Sequence, residues 1–457
     1  LWLNINVLCI FAINSGDKMI NKNTQASKKG ASNKLDYLQL KQLQEKYDTP
    51  FYLYDADTIR NNVTNLQQAL GFGVDIFYSL KANPNISIAS LILQQNVGAE
   101  VCSTAELMTA MKAGYPSENI IFVGPYKKDL DIELCLLNKI YAIVCESFQE
   151  LEQIHQLARR HGVIAPVLLR INPDFYAKNA LLKMGGKPSQ FGIDQDQINE
   201  AFQFIKEHAS LNLLGIHIYN GTRILNAACI AENTQHILKY AADLQDQYQC
   251  QFTTIDIGGG AGIPYFEGET DLDLILLREL IHPIVHQYQH QFPHTRIIME
   301  SGRYLVGSAG NFIISARSIK AAKGKTFIVA DGGTNCHMSA VGVGSLVKNN
   351  FPMRVIQEKK SGNQVHYEIT GPLCTPNDLL AKNILLPEVA VNDFIEIAQS
   401  GAYGPSASPT GFLSHGHPAE FLLDDNTTHL IRAADKPDDL LCKQVLIYQQ
   451  PKEKINV

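Results

Sequence analysis

Between residues 75 and 301 short apolar runs return eight times, separated by longer segments of helical polar and apolar pattern, and this alternation restricts the fold more than any other feature. The runs are DIFYSL (75–80), GAEVCS (98–103), NIIFVG (119–124), YAIVCE (141–146), PVLLRIN (166–172), LLGIHIYN (213–220), TTIDIGGG (253–260) and TRIIMES (295–301). Several are apolar at successive positions, as strands covered on both faces must be. Eight strand–helix units predict an α/β chain folded as a closed (β/α)8 TIM-like barrel.

After Arg303 the pattern changes. FIVAD, HYEIT, FIEIA and QVLIYQQ read as strands joined by Gly, Pro, Asn and Asp turns, which predicts a second, mostly β domain, sandwich-like or barrel-like. DTPFYLYD (48–55) holds a strand of its own ahead of the first barrel unit, and is expected to join the later β domain. The expected division is a disordered N-terminal tail (1–36, with the polar stretch Asn21 to Asn33), a barrel (67–307), and a β domain made from 37–66 and 308–457.

At 457 residues and 45% apolar, the chain can fill both cores. Its formal charge of -6, from 39 basic and 45 acidic residues, offers no polybasic surface for nucleic acid or anionic lipid. The nine cysteines, from Cys9 to Cys442, form an odd set without a CxxC pair, which fits reduced thiols in a cytoplasmic protein better than disulfides or a zinc site. The opening LWLNINVLCIFAIN lacks the basic start of a signal peptide and is too short to span a bilayer; translation is expected to begin at Met19.

In such a barrel the reactive side chains stand at the C-terminal ends of the strands. That rim should carry Lys81, Glu100, Ser103, Arg170, Asn172, His217, Tyr219, Gly258, Gly259, Gly260, Glu300 and Arg303. Taken singly, each has an ordinary structural explanation: the glycine triplet can be a plain turn, and Glu300 with Arg303 a rim ion pair. Taken together they fit pyridoxal phosphate, whose aldehyde needs an amine, whose ring nitrogen needs a carboxylate and whose phosphate needs donors.

FYSLKANPN (77–85), HIYNGT, IDIGGGAGIP, ESGR, GPLCTPNDLL and GAYG occur in an order that resembles the fold type III pyridoxal phosphate-dependent decarboxylases, the group acting on diaminopimelate, ornithine and arginine. The resemblance runs from about Thr49 to Tyr448. It implies that Lys81 carries the cofactor as a Schiff base, that Glu300 pairs with the pyridinium nitrogen, and that the phosphate lies against Gly258 to Gly260, Thr222, Arg303 and Tyr403. It further implies a head-to-tail homodimer with shared active sites. Cys374 would cross from the partner subunit as proton donor, with Asp378 beside it at the substrate.

The sequence departs from the family at three places. Tyr219 stands where a histidine usually covers the cofactor face. In DGGTNCHMSAVGVG (331–344), Ser339 and Val343 stand where diaminopimelate decarboxylases carry an arginine and a tyrosine, so the carboxylate clamp is expected to be missing. ESGR, with Ser301, replaces EPGR. These features resemble the branch that includes the glutamyl-carrier-protein decarboxylase of butirosin biosynthesis, implying an amino acid tethered to an acyl or peptidyl carrier protein, or otherwise conjugated. The alternatives are a diaminopimelate decarboxylase of lysine biosynthesis, a pyridoxal phosphate racemase and a non-catalytic homologue. A racemase of this fold would set an arginine, not Glu300, against the ring nitrogen.

Overall fold

The computed structural model describes residues 35–175, 182–183, 188–341, 349–359 and 361–448. The expectations for residues 1–34 of the N-terminal tail, Met19, Cys9 and Val343 lie outside the described residues; of the last two residues of the expected tail, Leu35 is buried and Asp36 caps helix Tyr37–Tyr47.

The eight runs form eight parallel strands: Asp75–Ser79, Gly98–Val101, Ile120–Phe122, Ala142–Cys145, Ala165–Asn172, Leu211–His217, Thr254–Asp256 and Arg296–Ser301. Each pairs with the next in sequence, and the eighth returns to the first through Ile298 opposite Asp75, so the sheet closes. Most βα loops end on a side chain that caps the following helix; Asn85, Ser103, Ser147 and Asp273 each accept a hydrogen bond from a backbone N–H in the first turn. Ser103, expected at the reactive rim, is one of these caps.

Strand alternation divides the barrel interior into layers. Phe77, Ile121, Val144, Leu168 and Ile298 form part of an apolar inner cluster. Two residues further along their strands, on the same inward face, stand Glu146, Arg170 and Glu300, and Glu100, His217 and Asp256 are buried with them. The barrel is therefore dry below and charged at its upper end.

Helix Ala56–Leu70 buries Ile59, Val63, Leu66 and Leu70 against helices Leu274–Gln291 and Ile86–Leu93, which is the place of the eighth shell helix. A boundary at 66/67 would cut this helix, so the barrel shell begins near Ala56. The strand Phe51–Asp55 does join the second domain: it pairs antiparallel with Gly310–Ala322 and parallel with Ala419–Asp424. That domain continues as Thr427–Arg432 on one side and as Lys325–Ala330, Gln364–Thr370 and Leu379–Pro387 on the other, with Phe394–Ile397 and Met353–Ile356 also hydrogen-bonded to the sheet. One expected strand is not formed: residues 444–448 of QVLIYQQ take no strand, and Val445, Leu446, Ile447 and Tyr448 are exposed. No described helix is long and apolar enough to cross a membrane.

Candidate active site

Lys81 follows the first barrel strand in a single 3₁₀ turn, with the chain then led into the next helix by Asn83, Pro84 and Asn85. Its amine, one-third exposed at the barrel mouth, lies 3.0 Å from the fully buried Glu100 carboxylate and 3.9 Å from Glu300. Burial alone would lower this amine, but Glu100, Cys102 and Glu300 outweigh it and hold it well above the ordinary lysine range. The turn after the first strand thus carries a cation because two buried carboxyl groups, Glu100 and Glu300, stand beside that position.

Glu300 accepts a hydrogen bond from His217 Nε2 at 3.0 Å. Burial pushes its carboxyl up, but Lys81, His217 and Arg170 prevail and keep it down at about 2. Asp256 behaves oppositely: burial, reinforced by the charge of Glu300, raises its carboxyl well above the usual range. One of its oxygens accepts from Gly258 N at 2.8 Å. Two neighbouring carboxyls are thereby driven apart, one ionised and one protonated.

At any pH between the ordinary carboxylate range and its raised value, Asp256 takes up a proton on folding, so its contribution to stability falls as pH rises through that window. Asp256→Asn removes this titration. Its thermal midpoint should gain on wild type as the pH is raised from about 4 to about 8, which a melting series in matched buffers checks.

The glycine run is required by its neighbours. A Cβ at Gly259 would stand 2.1 Å from Glu300 O, and Gly258 and Gly260 have φ of +66° and +114°. Glu300 N donates to Gly258 O at 2.8 Å, which locks this turn to the eighth strand. Arg303 donates to the Tyr265 hydroxyl at 2.8 Å, and its buried Nε has no partner among the described residues, a donor that an anion would satisfy. Tyr403 comes from the β domain; its N–H donates to Ala82 O at 2.8 Å and its ring lies 4.5 Å from the Arg303 guanidinium. The Tyr219 ring faces Lys81 Nζ at 5.7 Å.

Lys81, Tyr219, Glu300, Arg303, Tyr403 and the glycines are thus brought to one mouth, with Thr222 hydrogen-bonded to Tyr219. An amine, an anion fixed beneath it and a donor-rich, side-chain-free turn fit pyridoxal phosphate in each of its three functional groups. Arg170 does not face this mouth freely: it donates to Glu146 at 2.8 Å, and Asn172 donates to Asp194 at 2.7 Å.

Residues 56–307 match the model of the pyridoxal-dependent decarboxylase, pyridoxal binding domain. The chain belongs to this family. It is a pyridoxal phosphate-dependent carboxy-lyase. It is 36% identical to the L-glutamyl-[BtrI acyl-carrier protein] decarboxylase of Niallia circulans over 90% of this chain and 97% of that one. It is 32% identical to the diaminopimelate decarboxylase of Helicobacter pylori over 87% of this chain and 96% of that one. The crystal structure of a Helicobacter pylori diaminopimelate decarboxylase complexed with L-lysine superposes with a TM-score of 0.80 at 31% identity, covering 88% and 98% of the two chains.

Two further expected residues have no contact, among the described residues, with the mouth of their own chain, and for Cys374 the resemblance implies a place in the partner subunit's site. Cys374 is exposed, and no hydrogen bond, ion pair or ring contact joins it to the mouth among the described residues. Asp378 is 2% exposed, with both carboxylate oxygens bonded inside its own chain, so it does not present them to a substrate. Sequence reading passed over Asp256 and Glu146. Glu146 follows a strand whose inward residues, Ala142 and Val144, are apolar, and that break in alternation is the signal; Asp256 shares its face with Thr254 and offers no such break.

Proposed function

We propose that this decarboxylase acts on an amino acid whose far end is masked, with glutamate held as a thioester on a carrier protein as the substrate class. The observation that carries this is Ser339. It occupies the position where the family resemblance places a clamping arginine, and its hydroxyl donates to Tyr403 O at 2.8 Å, bringing no charge to bind a second carboxylate. Similarity to a decarboxylase of carrier-bound glutamate supports the same reading.

When bound, pyridoxal phosphate supplies the electron sink for the carbon that loses its carboxylate. Lys81 Nζ would hold its aldehyde, with Glu100 beside the amine to keep it a cation when free. Glu300 would hold a proton at the ring nitrogen, and His217 would orient that carboxylate. Tyr219 would lie against the ring, while Gly258 to Gly260, Thr222, Arg303 and Tyr403 would hold the phosphate. Cys374 of a second subunit, in a head-to-tail homodimer, would donate the proton to the reacting carbon. The sequence holds no CxxC pair, which supports the reducing cytoplasm as the compartment.

The test is to offer the loaded enzyme glutamyl carrier protein, free glutamate and free meso-diaminopimelate, following carbon dioxide release and product mass. The expected product is the decarboxylated amine still on its carrier. Comparable kcat/KM on free meso-diaminopimelate would refute the masked-end reading.

A further inference from the structure

Asp378 has an unusual setting for a carboxylate. Oδ1 accepts from Thr334 N at 2.7 Å and from Thr334 Oγ1 at 3.0 Å, and Oδ2 accepts from Leu373 N at 2.7 Å. None of these donors is a cation. The surrounding backbone is shaped to admit the group: a Cβ at Gly333 would lie 2.4 Å from Oδ1, and a Cβ at Gly371 would lie 2.3 Å from Gly333 Cα. Two loops, one after the strand Lys325–Ala330 and one after Gln364–Thr370, are thus drawn together on a single buried side chain. The second loop carries Cys374, one residue beyond the Leu373 N–H that Asp378 holds.

Cys374 itself forms no hydrogen bond among the described residues and is exposed. Its position therefore depends on the backbone on either side, and Asp378 secures that backbone at Leu373. The turn is closed by Asp378 N donating to Thr375 O at 3.2 Å and Gly371 N donating to Asp378 O at 3.3 Å. A buried carboxyl group that accepts from three directed donors resists displacement, since each lost bond leaves a buried polar atom without its partner.

We propose that Asp378 is a positioning residue that holds the Cys374 loop in the shape required by the active site of the partner subunit. This inference rests on the shared-site reading of Cys374 given above. It assigns Asp378 to the subunit that lends the thiol, not to the subunit whose Lys81 is working. The same brace also leads, through the loop from Thr334 to Ser339, to Tyr403 of its own chain. The geometry therefore offers two directions of action, and the proposal commits to the first.

Hybrid dimers separate them. Differently tagged chains are co-expressed so that only one site of each dimer retains Lys81. Activity is measured on whichever of glutamyl carrier protein and meso-diaminopimelate the wild type decarboxylates. A control dimer of one Lys81→Ala chain and one Cys374→Ala chain should recover activity that neither homodimer has. Failure of that control refutes the shared site, and this proposal with it.

With the control in hand, Asp378→Asn placed on the Lys81→Ala chain, opposite a wild-type chain, should lower kcat of the surviving site by about 10 to 10²-fold with KM little changed, as expected for a misplaced proton donor. Placed instead on the chain that keeps Lys81, Asp378→Asn should leave that site near the control. The reverse pattern, equal losses in both arrangements, or no loss in either would overturn the proposal.

Because an amide opposite Leu373 N or Thr334 N sets donor against donor, Thr334→Val serves as a milder variant if Asp378→Asn does not fold; the same dependence on arrangement is expected, with a smaller loss. A readout independent of turnover is iodoacetamide labelling of the cofactor-free homodimer, with exposed Cys442 as internal reference. The ratio of Cys374 to Cys442 labelling should change several-fold in Asp378→Asn, and an unchanged ratio would count against the brace.

Discussion

Lys81→Ala is expected to abolish turnover, with a loss on the order of 10³-fold or more, because among the described residues Lys81 is the lysine whose amine stands beside Glu100 and Glu300 at the barrel mouth. The buried alternative in the barrel is Lys127, which is 1% exposed and whose amine already donates to Gly124 O, Val144 O and Glu150 at 2.7–2.8 Å. Such a lysine is a structural tie and not a reagent. Reduction of the loaded wild-type protein with borohydride, followed by peptide mapping, should place the label on Lys81. The absorbance of the lysine-bound cofactor should be lost in Lys81→Ala. A label on Lys127, or an unaltered spectrum in the variant, would refute the assignment. The variant has a second expected consequence. Without its cation, the Glu300 carboxyl loses the largest influence that opposes burial, and it should titrate at higher pH.

Glu300→Gln is expected to lower kcat by roughly 10²- to 10³-fold while leaving the cofactor attached, since a neutral amide cannot hold a proton at the ring nitrogen. Lys81, Arg303 and the glycine turn are untouched by this change, so bound-cofactor stoichiometry should remain that of wild type. A loss that tracks cofactor release would instead make Glu300 a binding residue. The substitution also has a signature in stability. A carboxylate held at about 2 contributes stability that is fully present above the ordinary carboxylate range and is lost as pH falls toward that value. In Glu300→Gln this contribution is missing, so the difference in thermal midpoint between wild type and variant should narrow on acidification.

Much of the architecture was legible because strand and helix periods are local. FYSL, GAEV, IIF and IIME alternate or run apolar within single strands, and strands and caps of this kind need no distant partner to be read. The acceptance of DTPFYLYD into the β sheet was legible for the same reason. Residues 444–448 of QVLIYQQ are likewise rich in strand-forming side chains, yet they take no strand. The expected boundary at 66/67 runs through helix Ala56–Leu70, because an amphipathic pattern reveals a buried face but not what covers it.

The candidate site divides in the same way. Lys81, Glu300, Arg303 and the glycines stand at or just after strand ends, and eight units closing into a ring necessarily bring strand ends to one rim. The chemistry of those residue types could therefore be combined from sequence alone.

What the sequence by itself determined is the repeat, and with it the barrel and the rim on which the amine, the carboxylate and the glycine turn must appear, because hydrophobic period and strand direction are local properties. Only the tertiary structure decided which acids share a charge. Asp256 is driven protonated and Glu300 ionised by burial and by neighbours far apart in the chain. It also decided that Asp378 is buried while Cys374 is exposed. Loop side chains have no period to follow; their direction is set by the donors and backbone that long-range packing places around them.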